Sequence, residues 1–140
     1  TSVQTEALLS FLKLEPHKRL RGEEWVLFTE SPDFKLYLAN KLMKQKKFDS
    51  NLITGFCNNR FILSDQLFVL PLIHLASKSP DKDDKIRFII TIGSIGDRRA
   101  LAPLKKLLKK SKKSVKAACI EAIEIIEKKN GIAAKKDRKG

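Results

Sequence analysis

The sequence has few cysteines, glycines and prolines. It therefore differs from small disulfide-linked or metal-bound domains and from turn-rich β-structures. Cys57 and Cys119 are too few and too far apart for a disulfide framework or a CxxC metal or redox motif, so buried free thiols are expected. Six glycines and five prolines suit long helices joined by short turns better than a β-sandwich or barrel. Apolar residues nevertheless make up 42% of the 140 residues, which is enough for the core of one domain.

Long apolar runs and targeting signals are also absent. The mostly apolar stretches 67–76 and 88–95 fall short of the ~20 residues that a membrane-spanning helix requires, so no membrane span is predicted. The N-terminus has no basic region followed by an apolar stretch. The sequence leaves open whether a signal was removed before Thr1 or whether the chain is a fragment, and a cytoplasmic location is the default expectation.

Acidic residues are scarce in the C-terminal third. Residues 1–97 carry a net charge of +2, whereas residues 98–140 carry +11 of the total of +13. A local field of this strength attracts polyanions, acidic protein surfaces or anionic lipid heads, and it implies nothing about the fold.

An internal repeat becomes visible when the chain is compared with itself at a shift of 32 residues. Residues 65–79 then align with residues 97–111, and the matches include an aspartate, a proline, leucines and a lysine: Asp65 with Asp97, Pro71 with Pro103, Leu72 with Leu104, Leu75 with Leu107, Lys78 with Lys110, and Ser79 with Ser111. A weaker earlier copy begins at Asp33 and includes Phe34, Leu38, Leu42 and Met43. In each copy the aspartate is expected to cap a helix.

The apolar spacing predicts an all-helical chain. Helices are expected near 3–14, 33–46, 50–60, 64–78, 84–95, 98–110 and 114–129. Residues 86–95 are rich in β-branched side chains, but a shift of 31 residues aligns their isoleucines with those of 120–126, a segment whose alanines and glutamates favour a helix.

The two ends of the chain are harder to interpret. Residues 15–32 are interrupted by Pro16, Gly22 and Pro32, so a loop with a short helix is expected there, and Trp25 must find cover. The domain is therefore predicted to span 1–129, with its clearest repeats in 64–129. Residues 130–140 are predicted to be a basic flexible tail that begins with a capping glycine, Gly131.

The segment 92–104 resembles the short bacterial HEAT repeats, a type also found in phycobilin lyases. In that family a Leu-Gly-x-Ile-Gly-Asp turn leads into an Arg-Ala-x-x-Pro-Leu helix, and the segment Val115 to Ala118 is similar to the Val-Arg-x-Ala that opens the next repeat. The resemblance covers residues 84–126, with 33–79 as diverged copies. It implies a short right-handed α-solenoid of stacked helical hairpins, and it implies almost nothing about function because the matching residues build turns and helix contacts.

Three residues of the motif have expected structural roles. Gly93 either lets two helices approach closely or ends the first helix, and Gly96 allows the tight turn before Asp97. Pro103 is expected to lie past the first turn and to bend its helix.

A basic surface is the most specific candidate site. We define it by nine residues of the last repeat: Arg98, Arg99, Lys105, Lys106, Lys109, Lys110, Lys112, Lys113 and Lys116. With Leu104, Leu107 and Leu108 turned inward, the lysines are expected on the outer side of their helix. They form either an electrostatic binding site for an acidic protein or nucleic acid, or the solvated face of a terminal repeat. Because lysines outnumber arginines, diffuse charge attraction is favoured over base reading.

Other chemistries receive weak support. His17 and His74 have no partner at metal spacing, and Gly93 and Gly96 lack the rest of a phosphate loop or a dinucleotide motif. Asp81, Asp83 and Asp84 lack the later glutamate and glycine of a calcium loop and are interpreted as an inter-repeat turn. HEAT-like DNA glycosylases use a tryptophan and an aspartate, but Trp25 lies beside acids without the further aromatic and basic residues.

The sequence thus favours a scaffold or adaptor that is not an enzyme, has no cofactor or metal, and binds another protein through its helical-repeat surface. The alternative is a nucleic-acid-binding module that uses the basic surface.

Overall fold

The structure, a computed structural model, describes residues 2–21 and 32–132. In these ranges the chain forms seven α-helices and no strand, as the apolar spacing predicts. The helices are α1 (Ser2–Leu14), α2 (Pro32–Lys44), α3 (Ser50–Asn58), α4 (Val69–Lys78), α5 (Lys82–Ile95), α6 (Leu101–Lys110) and α7 (Lys113–Lys129). The predictions for Trp25, for most of the 15–32 segment and for the tail after residue 132 lie outside the described residues.

The helices pack in two rows. One row contains α2, α4 and α6 and the other contains α3, α5 and α7, while each of the pairs α4–α5 and α6–α7 packs as a hairpin across the rows. Helix α1 packs on α2 and α3. One apolar core runs between the rows; its largest fully buried side chains include Phe34, Phe56, Phe68 and Phe88. Each helix therefore depends on its neighbours to cover its apolar face.

The two best repeat copies have the same local structure. The carboxylates of Asp65 and Asp97 accept hydrogen bonds from the backbone N–H two residues later, at 3.0 and 2.8 Å. A short 3₁₀ helix follows in each copy, Gln66–Phe68 and Arg98–Ala100, and the α-helix begins after it. The alignment at 32 residues is thus confirmed down to the cap.

The same geometry corrects two predictions. Helices α4 and α6 begin at Val69 and Leu101, later than the predicted 64 and 98, because the first turn after each aspartate is 3₁₀. Pro71 and Pro103 consequently lie in the first turn of their α-helices, not past it. The missing N–H of a proline is tolerated there because the first turn of an α-helix has free N–H groups.

Helix α5 confirms the helical interpretation of residues 86–95. Its N-cap is Asp81, whose carboxylate accepts from Asp83 N at 2.8 Å and Asp84 N at 3.2 Å. Only Asp81 lies in the predicted turn, since Asp83 and Asp84 belong to the first turn of the helix, where acids complement the helix dipole. The helix ends at Gly96, whose φ of 73° is in the left-handed region that favours glycine.

Gly93 lies inside α5 and does not end it. A Cβ atom at this position would lie 3.1 Å from both Cα and Cβ of Ala122 on α7. Of its two expected roles, Gly93 therefore has the one that allows two helices to approach closely.

The earlier repeat copy departs from the pattern. Helix α2 begins at Pro32, so Asp33 lies within the first turn and does not take the N-cap position. Phe34, Leu38 and Leu42 are buried as expected, but Met43 is 45% exposed because it lies on the outer side of the helix. Helices α2 and α3 also end two residues earlier than predicted, at Lys44 and Asn58.

Candidate functional site

The basic surface lies on the last hairpin. All nine of its side chains are exposed. On α6, Leu104 is fully buried, while Leu107 and Leu108 are half-buried and pack against the core. This arrangement leaves the lysines on the solvent side of the helix, and whether they bind a partner stays a prediction.

The nine residues differ in how they are held. The Arg99 guanidinium pairs with the Asp97 carboxylate at 2.8 Å and donates to the Gln66 carbonyl at 2.9 Å, so it joins two successive repeats. The Arg99 side chain in turn holds the pKa of Asp97 below its ordinary value. Lys105 Nζ lies 3.9 Å from the carboxylate of Glu127, a residue of α7 that is only 3% exposed. Arg99 and Lys105 therefore also have structural contacts.

The turn between α6 and α7 concentrates cations where a helix favours anions. Lys112 is the N-cap of α7, Lys113 is its first residue, and the first turn contains no acid. Cations are unfavourable at the positive end of the helix dipole, where each typically costs ~0.3–1 kcal/mol. Lys113 also has a φ of 48°, in the left-handed region that non-glycine residues rarely adopt. The local structure gains nothing from lysines at these positions.

The histidines and cysteines have ordinary structural environments. His74 Nε2 donates to the carbonyl of Gln45 at 2.6 Å, and its ring meets the edge of Phe48. Cys57 and Cys119 are buried free thiols, as expected. Burial raises the pKa of Cys119 to about 11, which keeps the thiol protonated.

Two further findings concern metal-ligating side chains and membrane-spanning helices. Within residues 2–21 and 32–132, no group of three or more metal-ligating side chains is brought together. In the described part of the chain, no helix combines the length and apolarity needed to cross a membrane.

A second candidate site involves residues that the sequence did not single out. A pocket of about 330 Å³ is lined by three arginines, a cysteine, an asparagine and a phenylalanine: Arg19, Arg60, Arg87, Cys57, Asn58 and Phe61. The arginines come from parts of the chain that are far apart in sequence, so no local spacing could have revealed them. The nearest sequence signal is the pair Asn58-Asn59 at the end of α3, whose side chains bind the segment that carries Arg19.

The fold and the repeated turns define a helical-repeat protein with two rows of helices. Residues 69–135, slightly under half of the chain, match the family model of HEAT repeats. This segment contains α4 to α7, the two hairpins in which the repeat is clearest. The match therefore supports a HEAT-repeat family for this chain. Searches of curated proteins and of solved structures returned no significant match.

Proposed function

We propose that the chain is a non-enzymatic scaffold or adaptor that binds a partner protein through the surface of its helical repeats. Support comes from the match to HEAT repeats, which are commonly protein-interaction modules. In this proposal the domain predicted over residues 1–129 is a short right-handed solenoid, and the sequence of residues 130–140 adds further basic residues.

The observation that carries the proposal is the composition of the last hairpin. Its lysines 112, 113 and 116 accumulate at the N-terminus of α7, where they oppose the helix dipole. On the preceding helix of the same hairpin, Leu101, Leu107 and Leu108 are only half-buried. A hairpin that combines partly exposed apolar side chains with exposed cations suits a protein partner with an acidic surface.

Nucleic acid is the second candidate partner because the basic surface concentrates seven lysines and two arginines within residues 98–116. Such a surface attracts phosphates without reading sequence, and its binding falls steeply as salt rises. Binding to a partly apolar protein interface depends less on salt.

The resemblance to lyase-type HEAT repeats adds no catalytic role. It rests on Gly93, Gly96, Asp97 and Pro103, which have structural positions: a helix–helix contact, a helix end, an N-cap and the first turn of a helix. We therefore infer that only the repeat architecture is shared with the phycobilin lyases, without their activity, a metal or a cofactor.

The test is a charge reversal of four exposed lysines, Lys106→Glu, Lys109→Glu, Lys110→Glu and Lys116→Glu, with Lys105 left in place because it lies near the buried carboxylate of Glu127. Helical content by circular dichroism should stay nearly unchanged, since the four side chains lie on the surface. The partner retained in a pull-down after nuclease treatment should bind the purified variant much more weakly. Its affinity and that for a DNA duplex should be measured at two salt concentrations.

The matched control reverses four exposed lysines elsewhere, Lys13, Lys44, Lys46 and Lys47. It changes the net charge equally, so a loss confined to the first variant assigns binding to the basic surface. Unchanged affinity of both variants contradicts the electrostatic part of the proposal. Tight, steeply salt-dependent binding of the duplex that only the first variant loses favours nucleic acid over a protein partner.

A further inference from the structure

The arginine-lined pocket is built from three segments of the chain. Arg19 follows α1, Arg60 begins the 3₁₀ helix after α3, and Arg87 lies on α5. The pocket belongs to different elements from the basic surface, which lies on α6 and the start of α7. It therefore needs its own explanation, and the explanation does not depend on the proposed function.

Buried amide contacts hold the segment that carries Arg19. Asn59 is fully buried; its Oδ1 accepts from Leu20 N at 2.8 Å, and its Nδ2 donates to the Lys18 carbonyl at 3.0 Å. Asn58 Nδ2 donates to the Pro16 carbonyl at 2.8 Å. The backbone on both sides of Arg19 is thereby fixed to the end of α3, which places its cation at the pocket.

The other two arginines are each oriented by more than one contact. Arg60 Nη1 donates to the Cys57 carbonyl at 2.7 Å and lies 3.6 Å from Cys57 Sγ. Arg87 Nη1 pairs with Asp84 at 3.3 Å, and the Arg87 side chain also interacts with the Cys57 thiol. A guanidinium has five N–H donors in a planar fork, so each of these arginines keeps further donors after its protein contacts. Oriented guanidinium groups around one cavity are suited to an oxyanion.

The charge of the site indicates which oxyanion. Three guanidinium groups line the pocket; Asp84 pairs with Arg87 and Asp83 also attracts it, so the pocket keeps a net positive charge. A phosphate monoester carries about −1.5 to −2 at pH 7 and has three acceptor oxygens. We propose that this pocket binds the phosphate group of a phosphate monoester.

The remaining lining agrees with this ligand. Burial and the nearby Asp84 raise the pKa of Cys57, so its thiol adds no negative charge at neutral pH. Phe61 is 44% exposed at the pocket and offers an apolar contact to whatever carries the phosphate. A volume of about 330 Å³ is at the small end for ligand sites, which suits a phosphate group and the first atoms of its carrier.

The test is binding of O-phosphoserine, inorganic phosphate and a phosphoserine peptide to the full chain by isothermal titration calorimetry. The variant Arg19→Gln/Arg87→Gln should bind each probe at least about tenfold more weakly, since it removes two cations and their charge-assisted hydrogen bonds to the phosphate. Arg60 is left in place because it also bonds the backbone of α3. Affinity should rise as the pH rises through about 6, where the ester gains its second charge.

The control variant is Lys78→Gln/Lys128→Gln, which removes two exposed charges that belong neither to the pocket lining nor to the basic surface. Its phosphate affinity should stay within about twofold of the parent, since salt screens exposed charges that do not contact the ligand. Equal losses in both variants would mean general charge attraction and would overturn the site, as would equal binding of a glutamate peptide. Absence of saturable binding by all three probes at millimolar concentration also overturns it.

The three probes identify the source of the phosphate. Tighter binding of the phosphoserine peptide than of O-phosphoserine indicates a phosphorylated side chain of a partner protein. Equal binding of the two indicates a small phosphate ester. Both outcomes support the phosphate site, provided that the pocket variant loses binding and the control variant keeps it.

Discussion

Helices α4 and α6 occupy equivalent places in two copies of one repeat, yet they differ in burial. Four positions that are buried on α4 are only half-buried on α6: Val69 against Leu101, Pro71 against Pro103, Leu75 against Leu107, and Ala76 against Leu108. The reason is the number of neighbours. Helix α4 packs between α2 and α6, whereas α6 is the last helix of its row in the described part of the chain.

The outer positions of the two helices follow the same rule. Ile73 and His74 of α4 are half-buried, and His74 contacts Gln45 and Phe48 from the preceding repeat. Their equivalents, Lys105 and Lys106, are exposed. The same local structure thus carries apolar side chains where another repeat packs against it and charged side chains where none does. The charge is therefore concentrated on the last repeat.

The largest loss of stability is expected from removing α7. Deletion of residues 114–140 removes six buried side chains, of which five are apolar: Val115, Cys119, Ala122, Ile123 and Ile126. Burial of a Val or Ile side chain is worth about 1.5–3 kcal/mol and that of Ala or Cys less, so the loss rivals the total stability of a typical domain, about 5–15 kcal/mol. The remainder should aggregate or melt early.

Thermal melting and size-exclusion chromatography of the deletion variant measure this effect. A matched truncation after Ile132, which keeps α7 complete, separates loss of the helix from loss of the tail. A 1–113 fragment as stable and monomeric as the parent would contradict the packing of α7 on α5 and α6.

The two capping aspartates should contribute equally to the stability of the protein. Asp65→Ala and Asp97→Ala should each cost about 1 kcal/mol, the usual value for a lost N-cap. In the parent the pKa of Asp65 is held low mainly by the Leu67 N–H, and that of Asp97 mainly by Arg99. A lowered pKa contributes stability above the ordinary value near ~3.9 and loses it as the pH falls through the folded value.

Melting temperatures at neutral and strongly acidic pH check this prediction. The difference between the parent and each variant should shrink in acid, where the parent's caps become protonated. Asp33→Ala is the control, since Asp33 lies within a helix turn, and a smaller effect is expected. A difference that stays constant with pH would show that the carboxylate charge does not stabilise the caps.

The smallest effect is expected at Lys106, whose equivalent in the preceding repeat is His74. His74→Ala should cost about 1–2 kcal/mol because it removes the hydrogen bond to Gln45 and the contact with Phe48. Lys106→Ala should change stability by less than about 0.5 kcal/mol, as for most surface substitutions. Chemical denaturation of both variants gives the two free energies of unfolding. Equal costs would mean that α6 is covered as fully as α4.

Most of the fold could be predicted because its signals are local. Helix periodicity, the N-cap aspartates and Gly96 depend on residues within one turn of each other. The predicted starts of α4 and α6 were wrong because a 3₁₀ turn and the first α turn have the same apolar spacing over three residues. Met43 was misplaced because it borders the apolar face and its exposure depends on the neighbouring helix.

The features of the candidate sites also divide into those that local spacing predicts and those that it does not. The exposure of the four lysines on α6 follows from the apolar spacing of that helix alone. The contact of Arg99 with Gln66, the approach of Lys105 to Glu127 and the arginine pocket join residues on different elements. None of these contacts has a signature in local spacing.

The sequence by itself determined the helical class, the 32-residue repeat, the capping aspartates and the concentration of positive charge after residue 97. Only the tertiary structure decided which apolar faces are covered, which role Gly93 has, and that Arg19, Arg60 and Arg87 line one pocket. The physical reason is distance along the chain. Helix formation and capping depend on groups a few residues apart, whereas burial and the assembly of distant charges depend on how the helices pack against one another.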